Sequence, residues 1–325
     1  MSKNRLFSLA AAVVIMLPLV ALLYNSAEPS DSLAGDTVLP ALREQLNQVD
    51  RLSVTRGDET VTLLKDDSGW VVSERFQFPA DFAELAQILR GAAEMKVLET
   101  KTSDQALFHR LGLGPEADLP PILLGIHAGD RSWQLWLGNR ASNQQGQYVL
   151  KDSAGPVLLV DPDLSPAADP AGWLSGQIMK VDAASIRSVL VRHPDGEELA
   201  IAHPDPLENA VLENLPEGKS LQSSTAPNSI TRSLASLRME DVLPRSELSQ
   251  DALSSAQFEL TGDRTLLLQG ARLNGEHWVL VSLGSDFSDE DLERWSLRPD
   301  VDEWAYKVNA YAFGQIFPAM GDMVE

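Results

Sequence analysis

The stretch ILLGIHAGDRSWQLWL, residues 122–137, decides the fold. Ile122, Leu124 and Ile126 take every second position, Gly129-Asp130 supplies a turn pair, and Trp133, Leu135 and Leu137 take every second position on the way back. A period of two on either side of a turn is the pattern of an antiparallel hairpin with one buried face. Trp133 and Trp136, three residues apart on a strand, point to opposite faces. One of them is therefore expected to be exposed, where an aromatic ring can stack on a sugar or anchor a partner.

Outward from this hairpin the chain keeps alternating. Upstream, Leu52 and Val54, then Val61 and Leu63, then Trp70-Val71-Val72 read as a three-stranded meander, with turns at Gly57-Asp58 and Asp67-Ser68-Gly69. Asp81 with Glu84 three residues later marks a helix start, and Phe82, Leu85, Leu89 and Ala92 form its apolar stripe. Asp104 to Leu111 suggests a second short helix, stopped by Gly112-Leu113-Gly114-Pro115. Downstream, strands are expected at Gln147–Lys151 and Val157–Val160. Residues 161–172, DPDLSPAADPAG, carry three prolines and read as a domain boundary.

Beyond that boundary the same order returns. Asp50–Val54 is echoed by Ser185–Val189, Val97-Leu98 by Val242-Leu243, Gly129-Asp130-Arg131-Ser132 by Gly262-Asp263-Arg264-Thr265, and Tyr148-Val149-Leu150 by Trp278-Val279-Leu280. The helix stripe is matched by Ile230, Leu234 and Leu237. Four echoes in one order indicate an internal repeat whose length changes fall in loops.

At the other end, Leu6 to Tyr24, LFSLAAAVVIMLPLVALLY, carries no charge. As a helix it would reach ~28 Å, close to a bilayer's ~30 Å hydrocarbon core. Its eleven Leu, Val, Ile and Phe residues contribute about −5 kcal/mol to insertion. Lys3 and Arg5 precede it and no basic cluster follows, which places the amino terminus in the cytoplasm and exports the rest. Ser32-Leu33-Ala34 resembles a signal-peptide cleavage site but lies too far past the apolar run, so a retained anchor is the preferred reading. Residues 25–35 then serve as a tether, and Leu39, Leu42 and Leu46 predict a short amphipathic helix over Asp36–Gln48.

The expected organisation is a cytoplasmic tip and transmembrane anchor (1–24), tether and short helix (25–48), first repeat domain (49–160), Pro-rich linker (161–176), second repeat domain (177–318) and tail (319–325). The fold class expected is α+β: a transmembrane helix followed by two duplicated domains, each an antiparallel sheet with packed helices. The location expected is the inner membrane, with a single pass and the carboxyl-terminal bulk in the periplasm.

Charge narrows the partners. With 47 acidic and 26 basic residues the formal net charge is −21, which repels nucleic acid and excludes it as a partner. The chain has no Cys, so it has no disulfide framework and no thiolate nucleophile or ligand.

Candidate chemistry yields to plainer readings. His193-Pro194-Asp195 and His203-Pro204-Asp205 resemble the triplet of J-domains, but Arg192-His193-Pro194-Asp195-Gly196 is a β-turn signature between strands 186–192 and 198–202. His203 would then lie ~20 Å along the return strand, too far to share a metal with His193. Gly112-Leu113-Gly114-Pro115-Glu116-Ala117 fits a loose dinucleotide pattern in the wrong context, after a helix. Asp286, Asp289, Glu290, Asp291 and Glu293 lack the EF-hand spacing and read as a helix start with Ser288 as N-cap and Asp291 at the capping-box position. Asp161, Asp163 and Asp169 are expected to be solvated. No nucleophile elbow, Ser-x-x-Lys, His-Glu-x-x-His or P-loop is present, so no catalytic, cofactor-binding or metal residue is assigned.

With its anchor, two meander-helix-hairpin units and closing aromatic run Trp304-Ala305-Tyr306-Lys307-Val308-Asn309-Ala310-Tyr311-Ala312-Phe313, the chain resembles a family of exported bacterial proteins. These are built from a repeated domain of unknown function and are encoded beside gliding-motility-type ABC transporters. The resemblance implies a non-enzymatic scaffold or auxiliary subunit, partnered by the transporter's membrane subunits or an exported protein and attached to the inner membrane through Leu6–Tyr24. A glycan- or lipid-binding module using an inter-domain cleft is the alternative. A carboxylate-based hydrolase, needing two facing acids ~5–9.5 Å apart, ranks third.

Overall fold

The structure, a computed structural model, describes residues 33–142, 145–248 and 253–325. The anchor and most of the tether expected before residue 33 lie outside the described residues. Among the described residues, no helix is long and apolar enough to cross a membrane.

The first sheet has nine strands: β1 (Arg51–Arg56), β2 (Glu59–Asp66), β3 (Gly69–Val72), β4 (Phe78–Pro79), β5 (Lys96–Thr100), β6 (Ile122–Ala128), β7 (Arg131–Arg140), β8 (Gln147–Leu150) and β9 (Leu158–Asp161). Their order is β4-β3-β2-β1-β6-β7-β8-β9-β5. The chain continues with β10 (Gln177–Met179), β11 (Ile186–Arg192), β12 (Glu198–Ala202), β13 (Val211–Leu212), β14 (Leu237–Arg238), β15 (Asp241–Pro244), β16 (Ser254–Leu260), β17 (Arg264–Leu273), β18 (Glu276–Leu283) and β19 (Trp304–Val308). Strands β10 and β14 pair with each other, and the other eight form a sheet ordered β13-β12-β11-β16-β17-β18-β19-β15.

Without β4, the two large sheets have one topology. Setting β1–β3 against β11–β13 and β5–β9 against β15–β19 converts either order into the other. The four sequence echoes fall on strands or turns that correspond in this way: β1 and β11, β5 and β15, the β6–β7 and β16–β17 turns, and β8 and β18. The opening hairpin has the register its alternation predicts, with Ile122 opposite Leu137, Leu124 opposite Leu135 and Ile126 opposite Trp133.

The expected α+β class is corrected: the described residues are mostly β. Strands and bridges hold 38% of them and helices 22%. Among the described residues the α-helices are α1 (Leu42–Gln45), α2 (Phe82–Glu94), α3 (Asn228–Arg232), α4 (Asp289–Arg294) and α5 (Ala310–Ile316), and of these only α2 exceeds seven residues. The expected stripe of Ile230, Leu234 and Leu237 shows why. Only Ile230 lies in a helix, yet all three are buried, because Leu237 passes into β14. A three-residue apolar spacing is met as well by one turn followed by a strand as by a full helix.

Helix α2 starts where expected, with the Asp81 carboxylate accepting from the backbone N–H of Ala83 and Glu84 at 2.9 and 3.3 Å. Its buried stripe is Leu85, Ile88, Leu89 and Ala92, while Phe82 is 65% exposed. Helical side chains tilt towards the amino terminus, so a residue in the first position points beyond the helix end.

The described residues divide into two compact units. The first comprises residues 33–49, 54–58 and 87–166. In it, the amide of Gly35 donates to Val97 O at 2.7 Å, Val97 N to Asp36 O at 2.9 Å, and Val38 N to Met95 O at 2.9 Å. This pairing occupies the open edge of β5, a site that would otherwise recruit another strand. It also uses residues expected to be helical, so the helix over Asp36–Gln48 shortens to α1 and one 3-10 turn.

The second unit comprises residues 50–53, 59–86 and 167–325. Here Arg75 grips Asp241 with two parallel bonds, Nε to Oδ1 at 2.6 Å and Nη2 to Oδ2 at 3.1 Å. Phe78 meets Trp304 edge-on with centroids 5.0 Å apart, and the Arg298 guanidinium lies over the phenyl ring, 4.9 Å from its centroid. Tyr306 is buried and donates to Val301 O at 3.1 Å; burial pushes its phenol far above the usual tyrosine range.

Candidate functional site

The concave feature that stands out is an open groove of about 1030 Å³ within the first unit. That is the upper end of the ~300–1,000 Å³ typical of ligand pockets. Its floor is a row of three side chains across neighbouring strands: Leu123 on β6, Trp136 opposite it on β7, and Leu150 opposite Trp136 on β8. Leu150 is buried, whereas Leu123 and Trp136 are half-buried and present their remaining surface to the groove.

The wall is the 3-10 helix Gln105–Leu111 and the loop after it. Asp104 caps this helix by accepting from Ala106 N at 3.0 Å, and Thr102 Oγ1 in turn accepts from Asp104 N at 3.0 Å. The helix stops at Gly112, which is left-handed with φ 72° and donates to His109 O. A Cβ at Gly112 would lie 2.4 Å from the Asn139 side chain, so only glycine makes this turn. Leu113 then folds back, its amide donating to Phe108 O at 3.0 Å, and both side chains are buried. They form one apolar cluster with Leu150 and Val157, against which Trp136 and Tyr148 pack. The wall approaches the sheet closely at Gly138, where a Cβ would lie 2.4 Å from Leu111 O.

Pro115, Pro120 and Pro121 also line the groove, and the polar lining consists of Thr55, Gln105, His109, Glu116 and Ser153. Gln105 Nε2 donates to Ser153 O at 3.3 Å. Prolines offer no N–H and Leu, Phe and Trp offer apolar surface, so the lining of this groove is chiefly apolar, with a few polar side chains among it.

The residues singled out in the sequence divide between this groove and local structure. Trp136 is in the groove. The Gly112–Ala117 run is the helix stop and supplies part of the wall. His193-Pro194-Asp195-Gly196 is a turn: Gly196 N donates to His193 O, and Asp195 accepts from Glu197 N. The His193 ring lies 3.0 Å from Ser254 Oγ through Nδ1 and donates from Nε2 to Pro318 O at 2.9 Å. His203 is buried, its ring nitrogens 3.0 and 3.3 Å from the carbonyls of Ile186 and Glu208. Both rings are thus occupied by structural contacts, and no metal-sized cluster of His, Asp and Glu occurs among the described residues.

The acidic run is a helix start. Ser288 caps α4 by accepting from Asp291 N, and the Ser288 N–H donates in turn to the Asp291 carboxylate at 3.0 Å. Arg264 donates to the same carboxylate at 2.8 Å and, with Ser288, holds Asp291 down at about 2. Asp161, Asp163 and Asp169, expected to be solvated, each have a partner: Gln145, Arg140 and the Gly172 amide.

These observations define a mostly β protein with two large sheets of one topology, carrying an open apolar groove in its first unit. The model of the family described as a domain of unknown function, DUF4340, matches residues 70–256, more than half of the chain, and the protein belongs to that family. Comparison with curated proteins finds no match, and comparison with solved structures finds none.

Proposed function

We propose that this protein is a non-enzymatic auxiliary subunit of an ABC-type transport system, exported and held at the inner membrane through Leu6–Tyr24. The transporter's membrane subunits, or an exported partner, dock in the groove of the first unit. The observation that carries this reading is the groove itself, on whose floor Leu123 and Trp136 leave apolar surface uncovered. Exposed apolar concavities of this size mark sites of recognition. The resemblance to proteins encoded beside gliding-motility-type transporters supplies the class of partner.

The test is affinity purification of the tagged full chain from detergent extracts after mild crosslinking. ATPase and permease subunits should co-purify with the wild-type protein and be depleted at least fivefold with Trp136→Ala. Recovery of monomer alone, repeated under these conditions, sinks the proposal. Glycan binding is a second reading that the half-buried Trp136 ring favours, since sugars stack on such faces. Retention of oligosaccharides by the wild type and not by Trp136→Ala would favour it over docking.

A further inference from the structure

The connection that walls the groove has a shorter counterpart. Residues 101–121 join β5 to β6, and residues 245–253 join the corresponding strands β15 and β16. Both pack apolar side chains on an apolar cluster of their own sheet: Phe108 and Leu113 on Leu150 and Val157, Leu248 on Leu280 and Ala305. The short connection also reaches the row that matches the groove floor, where Arg245 Nη2 donates at 3.1 Å to Gln269, the residue at the register of Trp136. A short connection is therefore enough for this packing. The longer one adds residues 114–121, of which Pro115, Glu116, Pro120 and Pro121 line the groove.

The main chain around the groove decides what it can receive. Its floor strands are all interior to their sheet: β6 lies between β1 and β7, β7 between β6 and β8, and β8 between β7 and β9. Their N–H and C=O groups are spent on ladders. In the wall, the amides of Ala106, Gly112 and Leu113 donate to Asp104, His109 and Phe108, and the three prolines carry no N–H. Among the described residues, then, no strand edge opens onto the groove. An extended peptide buried there would find no ladder to join, and each unpaired main-chain group would cost free energy comparable to a lost hydrogen bond. An α-helix pairs its own main chain and presents side chains alone.

Resting on the docking function proposed above, we infer that the occupant of the groove is an amphipathic α-helix of the partner polypeptide. Its apolar stripe, recurring at i, i+3 or i+4 and i+7, covers Leu123 and Trp136, while its polar face stays in solvent on the open side. A helix is ~10–12 Å across with its side chains, so a groove of 1030 Å³ admits about two turns seated to full depth.

Photocrosslinking of the full chain in cells tests this, with benzoylphenylalanine in place of His109 on the groove wall. The polypeptide adduct should map by mass spectrometry to a segment with that apolar spacing. A synthetic peptide of the segment should gain helical circular dichroism on titration with the purified chain. Proline at the centre of the peptide should weaken binding at least tenfold, because it breaks a helix but is tolerated in an extended chain. Leu123→Ser with Trp136→Gln in the protein should weaken it as much, with thermal unfolding midpoints showing that the variant folds. Binding with no gain of helix and no sensitivity to the proline overturns the inference and leaves the docking function standing. A partner that co-purifies but crosslinks elsewhere, or a lipid or glycan adduct at position 109, does the same. Absence of any co-purifying partner overturns both.

Discussion

At Asp291 one carboxylate performs three tasks: it closes the capping box of α4, accepts from Ser288 Oγ at 2.8 Å, and pairs with Arg264. The first of these could be read from the spacing Ser-x-x-Asp, because a capping box is complete within four residues. Arg264 could not, since it lies 27 positions away on β17. The pair has a pH consequence whose sign follows from the depressed pKa. The carboxylate's ordinary value is ~3.9 and its folded value is about 2. Its stabilising contribution is therefore full above pH ~4 and is lost as pH falls through the folded value. Thermal melts should show wild type above Asp291→Asn at pH 6, with the gap shrinking between pH 4 and 2; a gap independent of pH would refute the linkage. Phe82 teaches the reverse lesson. Its spacing from Leu85 and Leu89 is correct for the buried stripe, yet it is exposed, because spacing says nothing of where a helix begins to touch its neighbour.

Among the elements, those governed by short-range rules were legible: the hairpin β6–β7, the cap of α2, the His193–Gly196 turn and the stop at Gly112. Each rests on bonds or alternation spanning a few residues. Removing the α2 cap by Asp81→Ala should cost about 1 kcal/mol, the usual loss when a carboxylate that accepts from first-turn amides is deleted. Urea titration would measure this as a lower midpoint at unchanged slope. No change in midpoint would mean that packing of Leu85 and Ala92 alone holds the helix start. Less legible were residues 36–48, where leucine spacing suggested a helix and backbone pairing along β5 took precedence over its first part. Satisfying an open strand edge outweighs the weak helical preference of a segment too short to nucleate alone.

For the whole molecule, the proposed export through Leu6–Tyr24 predicts the side on which both units fold. An alkaline phosphatase fused after Glu325 should be active, and a fluorescent protein that folds only in the cytoplasm should be dark; the opposite pair of results would remove the periplasmic assignment and the proposed partners with it. The sequence by itself determined the local grammar: alternating strands, turns, caps and the order of elements that recurs after residue 180. Tertiary structure alone decided that the chain is mostly β, that residues 59–86 group with residues 167–325, and that Trp136 faces an open groove while its counterpart Gln269 lies under Arg245. The reason is physical. Alternation specifies that a strand has two faces, but which face remains uncovered depends on segments far away in the chain that either reach it or do not.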